Sequence, residues 1–184
     1  MPPPADRDAA GRAMRDLAGL DPRLKALIDG DAKLANLVAA VFGGSPYLRE
    51  LVLAEPAWLV GALDGDVGKG SDALIAGLAA SGRTAGDDDA IMRDLRRARS
   101  QASLLYALAD LAGLWDLDRL TAELTRLADA AVNAAVTYLL RDAGRAGQLA
   151  RPLADDPQAS SGYVVLAMGK HGAGELNYSS DIDL

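Results

Sequence analysis

Two carboxylates at the end of the chain are the residues best placed to do chemistry. Asp181 and Asp183 stand two residues apart in Ser-Ser-Asp-Ile-Asp-Leu. Because side chains alternate along a strand, a strand here would place both on one face, with Cα atoms about 6.6 Å apart. Like charges about 4 Å apart repel by about 4 kcal/mol at an effective dielectric constant of ~20, and a bound cation reverses that repulsion. The pair is therefore a candidate cation site.

A glycine-rich turn precedes the carboxylates. It contains Gly169, Gly172 and Gly174 within six residues. Glycine adopts positive φ angles and lets backbone N–H groups come close to a phosphate. Proteins commonly bind Mg²⁺ through one or two carboxylates together with substrate phosphates. The turn and the carboxylates together predict a site for Mg²⁺ and a phosphate group.

The segment before the turn predicts a buried strand. Residues 163–168, Tyr-Val-Val-Leu-Ala-Met, are apolar on both faces, as in a strand covered on both sides of a sheet. We therefore expect residues 162–184 to form the first strands of an α/β domain, with the carboxylates at the rim of its sheet. The chain stops one residue after Asp183, and we expect that domain to be truncated here. Residues 143–161, which include Pro152 and Pro157, predict a linker or loop.

Everything upstream predicts helices. The Pro-rich residues 1–8 are expected to be a disordered tail, and residues 9–142 a helical region. Asp31 is a predicted N-cap, and Ser45 is a second one, followed by Pro46 at the first helical position. We predict a turn over residues 64–70, a helix over 72–80 capped by Ser71, and a loop over 81–86. Two long helices follow, the first starting at residues 87–89 and ending at Gly113, the second starting near Asp118.

Composition narrows the function classes. Half of the 184 residues are hydrophobic but only 4% are aromatic, which favours a closely packed helical core of Ala, Leu and Val. The chain has no cysteine, which excludes disulfides and thiolate metal sites. The net charge of −7 argues against nucleic acid as the main partner. The Pro-rich start resembles no signal peptide, and no apolar run approaches the ~18 residues of a membrane span, so we expect a cytoplasmic location.

The terminal run also carries a family resemblance. Residues 168–184, Met-Gly-Lys-His-Gly-Ala-Gly-Glu-Leu-Asn-Tyr-Ser-Ser-Asp-Ile-Asp-Leu, resemble the signature of the bifunctional glutamine synthetase adenylyltransferase/adenylyl-removing enzymes. That family belongs to the polymerase β-like nucleotidyltransferases, with their Gly-(x)n-Asp-x-Asp pattern. Residues 44–48, Glu55-Pro56 and residues 108–117 resemble it too, so the likeness extends from about residue 34 to the end. It implies a mainly α-helical leader followed by the start of a polymerase β-like α/β domain.

The resemblance also implies roles for individual residues. Asp181 and Asp183 would be the catalytic Mg²⁺ ligands, completed by a third carboxylate from a later strand. The candidate phosphate contacts are Gly169, Lys170, Gly172 and Ser180. For Lys170 an ordinary solvated loop lysine is an equally good interpretation, and Ser180 equally well caps a local turn. His171 is the only histidine, and we expect a surface loop residue rather than a metal ligand.

The function implied by the resemblance is Mg²⁺-dependent phosphorolysis of adenylyl-tyrosine on glutamine synthetase, with phosphate consumed and ADP released. The motif stands within the first 184 residues and contains Glu-Leu-Asn-Tyr, which favours the adenylyl-removing domain. One alternative is transfer of AMP from ATP to glutamine synthetase by the same type of site. Another is a helical regulatory module without catalysis. The likeness further implies control by the PII signal protein, and the fragment alone is expected to be inactive.

Overall fold

A computed structural model describes residues 7–149 and 156–184 of the chain. Within those ranges the chain is mostly helical, as predicted, and no helix there is long and apolar enough to cross a bilayer. The helices are α1 (Arg7–Leu20), α2 (Pro22–Gly30), α3 (Ala32–Gly44), α4 (Pro46–Ala54), α5 (Pro56–Leu63), α6 (Val67–Thr84), α7 (Asp88–Leu111), α8 (Leu117–Arg145), α9 (Pro157–Ser161) and α10 (Gly169–Gly172).

The chain divides into two compact units, and each of them is described by itself. Unit 1 comprises Met1–Ser71 and Ser100–Asp116, and unit 2 comprises Asp72–Arg99 and Leu117–Leu184. Unit 1 is built on the packing of α1 against α3, with α2, α4 and α5 around them. Its core consists almost entirely of aliphatic side chains from these helices and from the second half of α7: Leu17, Leu24, Ile28, Leu37, Val38, Val41, Phe42, Val52, Leu59, Leu104 and Leu108.

Short polar side chains set the starts of the helices in unit 1. The Asp31 carboxylate accepts hydrogen bonds from the backbone N–H groups of Lys33 and Leu34, and the Ser45 hydroxyl accepts one from Leu48. Both predicted N-caps are thereby confirmed. Proline occupies the first turn of α2, α4 and α5, where a missing N–H costs nothing.

Helix α6 differs from its prediction at both ends. It runs from Val67 to Thr84, so the predicted turn over 64–70 and loop over 81–86 are wrong where they overlap it. Ser71 is not a cap: it is fully buried, and its hydroxyl lies 2.7 Å from the Tyr106 hydroxyl in unit 1. Gly70, within the predicted turn, is instead a contact point, since a Cβ there would lie 3.1 Å from a Leu105 methyl group.

In unit 2, α6 and α8 approach each other closely at Gly82, where a Cβ would lie 2.7 Å from the carbonyl oxygen of Ala134. Two buried side chains of α8, Tyr138 and Glu123, make polar contacts. The Tyr138 hydroxyl donates to Asp88 at 2.7 Å, which raises the pKa of Tyr138 to about 12. Glu123 is only 1% exposed and forms ion pairs with Arg119 and Arg126.

The two long helices end differently. Gly113 follows α7 with φ +69°, and the Leu114 N–H donates to the Ala109 carbonyl, so the predicted end at Gly113 is confirmed. Helix α8 continues to Arg145, three residues into the predicted linker, and α9 occupies the last five residues of that linker. Residues 150–155 of the linker, and residues 1–6 of the predicted tail, lie outside the described residues.

The predicted strands of residues 162–184 are not formed in the described structure. A single antiparallel bridge pairs Met168 with Asp183, through an N–H to carbonyl hydrogen bond of 2.8 Å. A strand ladder needs a neighbour along its length, and residues 163–167 have none among the described residues. They are also not buried as predicted, since Val164 is 72% exposed. The structure therefore supports the helical leader and leaves the α/β part of the predicted fold class unconfirmed.

Candidate functional site

The turn that precedes the carboxylates is a single helical turn, α10, whose backbone geometry requires glycine at two positions. Gly169 opens it with φ +53°, and Gly174 follows it with φ +75°. At Gly172 the φ angle is not the constraint: a Cβ there would collide with the carbonyl oxygen of Ala167. The turn is thus folded tightly against the segment before it.

Asp183 lies directly against this turn. Its backbone carbonyl accepts the Met168 N–H, and a Cβ built on Gly169 would lie 2.5 Å from Asp183 Oδ2. The carboxylate therefore occupies the space that a side chain at residue 169 would fill. Asp181 is exposed, as is Asp183. The structure thus brings Gly169 and Asp183 together and leaves both carboxylates open to solvent.

Ser180 belongs to a compact turn with Asn177. Its hydroxyl donates to Asn177 Oδ1 at 2.9 Å and accepts the Asn177 N–H at 3.1 Å. The Ser179 N–H also donates to Asn177 Oδ1, at 3.0 Å. This Asn177–Ser180 turn fixes the backbone immediately before Asp181, which is the local capping role that was one of the two interpretations of Ser180. Its role toward phosphate stays a prediction.

Two charged side chains of the turn face solvent. Lys170 and Glu175 are exposed, and neither makes an ion pair with a residue that the structure describes. Lys170 is therefore available to an anion near the turn. Its role in phosphate binding remains a prediction, as do those of Gly169 and Gly172.

His171 is placed differently from the prediction. It is 3% exposed rather than a surface loop residue, and its Nε2 lies 2.9 Å from Asp129 Oδ1 on α8. Its Nδ1 is buried and has no hydrogen-bond partner in the described structure. Sequence reasoning missed Asp129 altogether, because an aspartate between alanines on a helix carries no local signal of such a contact. The burial of Leu176, four residues after Gly172, was not predicted either.

The donor set fits Mg²⁺ in part. Within the described ranges no group of three His, Asp or Glu side chains could hold a metal ion. Two exposed carboxylates beside a glycine turn do suit Mg²⁺, which binds hard oxygen ligands and keeps positions for phosphate and water. The cradle at Gly169, which a Cβ would fill, leaves Asp183 room to approach the turn.

Comparison with known proteins gives this arrangement a family. The sequence model of the glutamate-ammonia ligase adenylyltransferases, a class of transferases, matches residues 35–184. The chain belongs to that family. No solved structure matches it.

Several curated relatives bear the name bifunctional glutamine synthetase adenylyltransferase/adenylyl-removing enzyme. The protein from Xanthobacter autotrophicus is 48% identical over 169 residues, covering 90% of this chain and 17% of that protein. The one from Rhodopseudomonas palustris strain BisB5 is 40% identical over 96% of this chain and 18% of its own length. The one from Bradyrhizobium diazoefficiens is 45% identical over 81% of this chain and 15% of its own length. The chain thus spans less than a fifth of the relatives it matches.

Proposed function

We propose that this chain is part of an enzyme that removes AMP from an adenylylated tyrosine of glutamine synthetase. The observation that carries the proposal is the placement of the Asp183 carboxylate against Gly169, with Asp181, two residues earlier, also exposed. The relatives that share up to 48% identity with this chain bear both activities in their name. Glutamine synthetase is accordingly the proposed partner, and the PII signal protein and a cytoplasmic location are further parts of the proposal.

The residues at the site suit phosphorolysis. An oxygen of inorganic phosphate attacks the adenylyl phosphorus, the bond from that phosphorus to the tyrosyl oxygen breaks, and ADP leaves while the tyrosine hydroxyl takes up a proton. Asp181 and Asp183 would hold Mg²⁺, which neutralises charge on the reacting phosphoryl oxygens. The backbone of the glycine turn and the exposed Lys170 ammonium group would bind the incoming phosphate. A further carboxylate from outside this chain would complete the metal site.

The direction of the reaction is the finer part of the proposal. The Glu-Leu-Asn-Tyr run at residues 175–178 favours the adenylyl-removing type over the AMP-transferring type. In the structure Asn177 organises the turn before Asp181, so this position has a structural consequence. Supplying phosphate and adenylylated glutamine synthetase in one assay, and ATP and unmodified glutamine synthetase in another, separates the two reactions.

The decisive experiment replaces the carboxylates in the full-length protein. Asp181→Asn and Asp183→Asn each keep the size of the side chain but remove its charge. Loss of a metal ligand that supplies about 4 kcal/mol of transition-state stabilisation corresponds to roughly 10³-fold in kcat. Asp110→Asn, an exposed aspartate at the end of α7, is the matched control and should keep full activity. Near-normal AMP removal by both site variants would overturn the proposal.

A helical regulatory module without catalysis is the competing interpretation, favoured by the predominance of helices in the described ranges. It predicts that Mg²⁺ does not bind near Asp181 in the full-length protein. Titration with Mn²⁺, a paramagnetic substitute, should broaden NMR signals of residues near the turn if the site binds metal. Absence of such broadening at residues 169–184 would favour the regulatory module.

A further inference from the structure

The glycine turn is attached to α8 by one buried side chain. Across residues 169–173 only His171 is buried, and its neighbours on both sides are exposed. Its Nε2 reaches Asp129 Oδ1 at 2.9 Å, across 42 residues of sequence. The carboxylate of Asp129 is itself largely exposed, with 57% of its side chain accessible. The hydrogen bond therefore joins a solvated residue of a long helix to the interior side of the turn.

The contact between His171 and Asp129 needs a hydrogen-bond donor, which only the imidazole can supply when the carboxylate is ionised. An ionised carboxylate only accepts hydrogen bonds, so this contact requires a proton on Nε2 of His171. The Nδ1 atom is buried and has no hydrogen-bond partner among the described residues. Burying an unpaired polar atom costs free energy. The imidazole is thus not an ordinary core histidine with both nitrogens satisfied, and the contact that its burial secures is the one to Asp129.

Displacement of the turn would be transmitted to the Asp183 carboxylate. Gly172 packs on the carbonyl of Ala167 with no room for a Cβ, so the turn and the preceding segment move together. Gly169 packs in the same way on Asp183, and Met168 is hydrogen-bonded to the backbone of Asp183. His171 lies between Gly169 and Gly172 in the sequence. Its buried side chain connects the turn to α8 through Asp129.

We propose that His171 is a positioning residue, which holds the glycine turn, and with it the Asp183 carboxylate, in place through its hydrogen bond to Asp129. The effect on metal binding rests on the proposed function, whereas the attachment of the turn to α8 does not. Groups that orient metal ligands from outside the coordination shell typically change metal affinity or activity by about 10–100-fold when they are removed. We expect an effect of that size.

The test uses four variants of the full-length protein: His171→Ala, Asp129→Ala, the double variant, and His171→Gln. Mn²⁺ affinity is measured by electron paramagnetic resonance, and kcat and KM for AMP removal are measured separately. We expect each alanine variant to weaken Mn²⁺ binding by about 10–100-fold and the double variant to be no weaker than either. We expect His171→Gln to restore most of the affinity, because its Nε2–H can still donate to Asp129.

A second readout does not depend on catalysis. Hydrogen–deuterium exchange of the amides at 168–176 should be about tenfold faster in His171→Ala and Asp129→Ala, and close to the parent in His171→Gln. Unchanged exchange and unchanged Mn²⁺ affinity in a folded His171→Ala variant would overturn the inference. If His171→Ala does not fold, Asp129→Ala and His171→Gln decide the question on the same two measurements.

The outcomes also separate this inference from the proposed function. Retention of activity by Asp181→Asn and Asp183→Asn means that the function fails, and the exchange data then still report on the attachment of the turn. Loss of activity in those two variants, with parent-like metal affinity and exchange in both alanine variants at 171 and 129, means that only the positioning role fails.

Discussion

The contact between α6 and α8 at Gly82 gives the most quantitative prediction. A Cβ at this position would lie 2.7 Å from the carbonyl oxygen of Ala134 and 2.8 Å from its Cα. Both are backbone atoms, so the helices must separate rather than a side chain rotate. Overpacking of this kind costs up to about 3 kcal/mol, whereas alanine is better than glycine inside a helix by about 1 kcal/mol. We expect Gly82→Ala to destabilise unit 2 by about 2 kcal/mol.

The same helix supplies a matched control. Gly77 also lies within α6 and is exposed, and beyond its own stretch of helix no atom lies within 4 Å of the position that a Cβ would take. Gly77→Ala should therefore stabilise the helix by about 1 kcal/mol, through propensity alone. The two substitutions are chemically identical and predicted to act in opposite directions.

Hydrogen–deuterium exchange of α6 and α8 peptides in the full-length protein measures both effects, since it reports the free energy of local opening. A loss of about 2 kcal/mol corresponds to roughly 30-fold faster exchange in Gly82→Ala. Protection in Gly82→Ala equal to or greater than that in Gly77→Ala would refute the reasoning, because it would mean that α6 and α8 are not held at this distance.

Two further predictions concern polar contacts within unit 2. Tyr138→Phe should remove a pH dependence: with the pKa of Tyr138 raised to about 12 by its hydrogen bond to Asp88, this contact stabilises the fold fully below pH 10, and its contribution is lost as the pH rises from 10 through 12. Thermal unfolding across that window should show a steeper decline in the parent than in the variant. Arg126→Ala should lower the free energy of unfolding by less than the ~3–5 kcal/mol typical of breaking a buried pair, since Arg119 still contacts Glu123. Urea denaturation measures this loss, and Arg126→Lys should lose less stability than Arg126→Ala.

Local chemistry made the helix boundaries of unit 1 predictable. An aspartate or serine before a run of apolar residues satisfies backbone N–H groups whatever the rest of the chain does, and Asp31 and Ser45 do so. Gly113 ends α7 for an equally local reason, because it adopts a positive φ angle that other residues avoid. These features depend on neighbours within four residues, which the sequence displays.

Features that depend on distant neighbours were not predictable. Glycine is typical of loops, but Gly70 and Gly82 both lie inside α6. The space that a Cβ would take is occupied by the Leu105 side chain at Gly70 and by the Ala134 backbone at Gly82. Ser71 resembles a cap, yet its partner is the Tyr106 hydroxyl, 35 residues away. The partner of His171 is likewise distant in sequence, since it is Asp129 of α8, 42 residues away. In the candidate site the glycine turn and the carboxylates could be located from sequence, but their attachment to the helices could not.

The exposure of residues 163–168 has a practical consequence for anyone who handles this polypeptide. The segment has a high preference for extended structure and contains no charge and no proline, and Val164 and Leu166 are 72% and 69% exposed. Such a segment pairs readily with its own copies and promotes aggregation. We therefore expect the residues that lead into the candidate site to lower the solubility of this chain when it is produced by itself. Covering this segment, by fusion or by co-expression with a complementary strand, is the modification most suited to improve its yield.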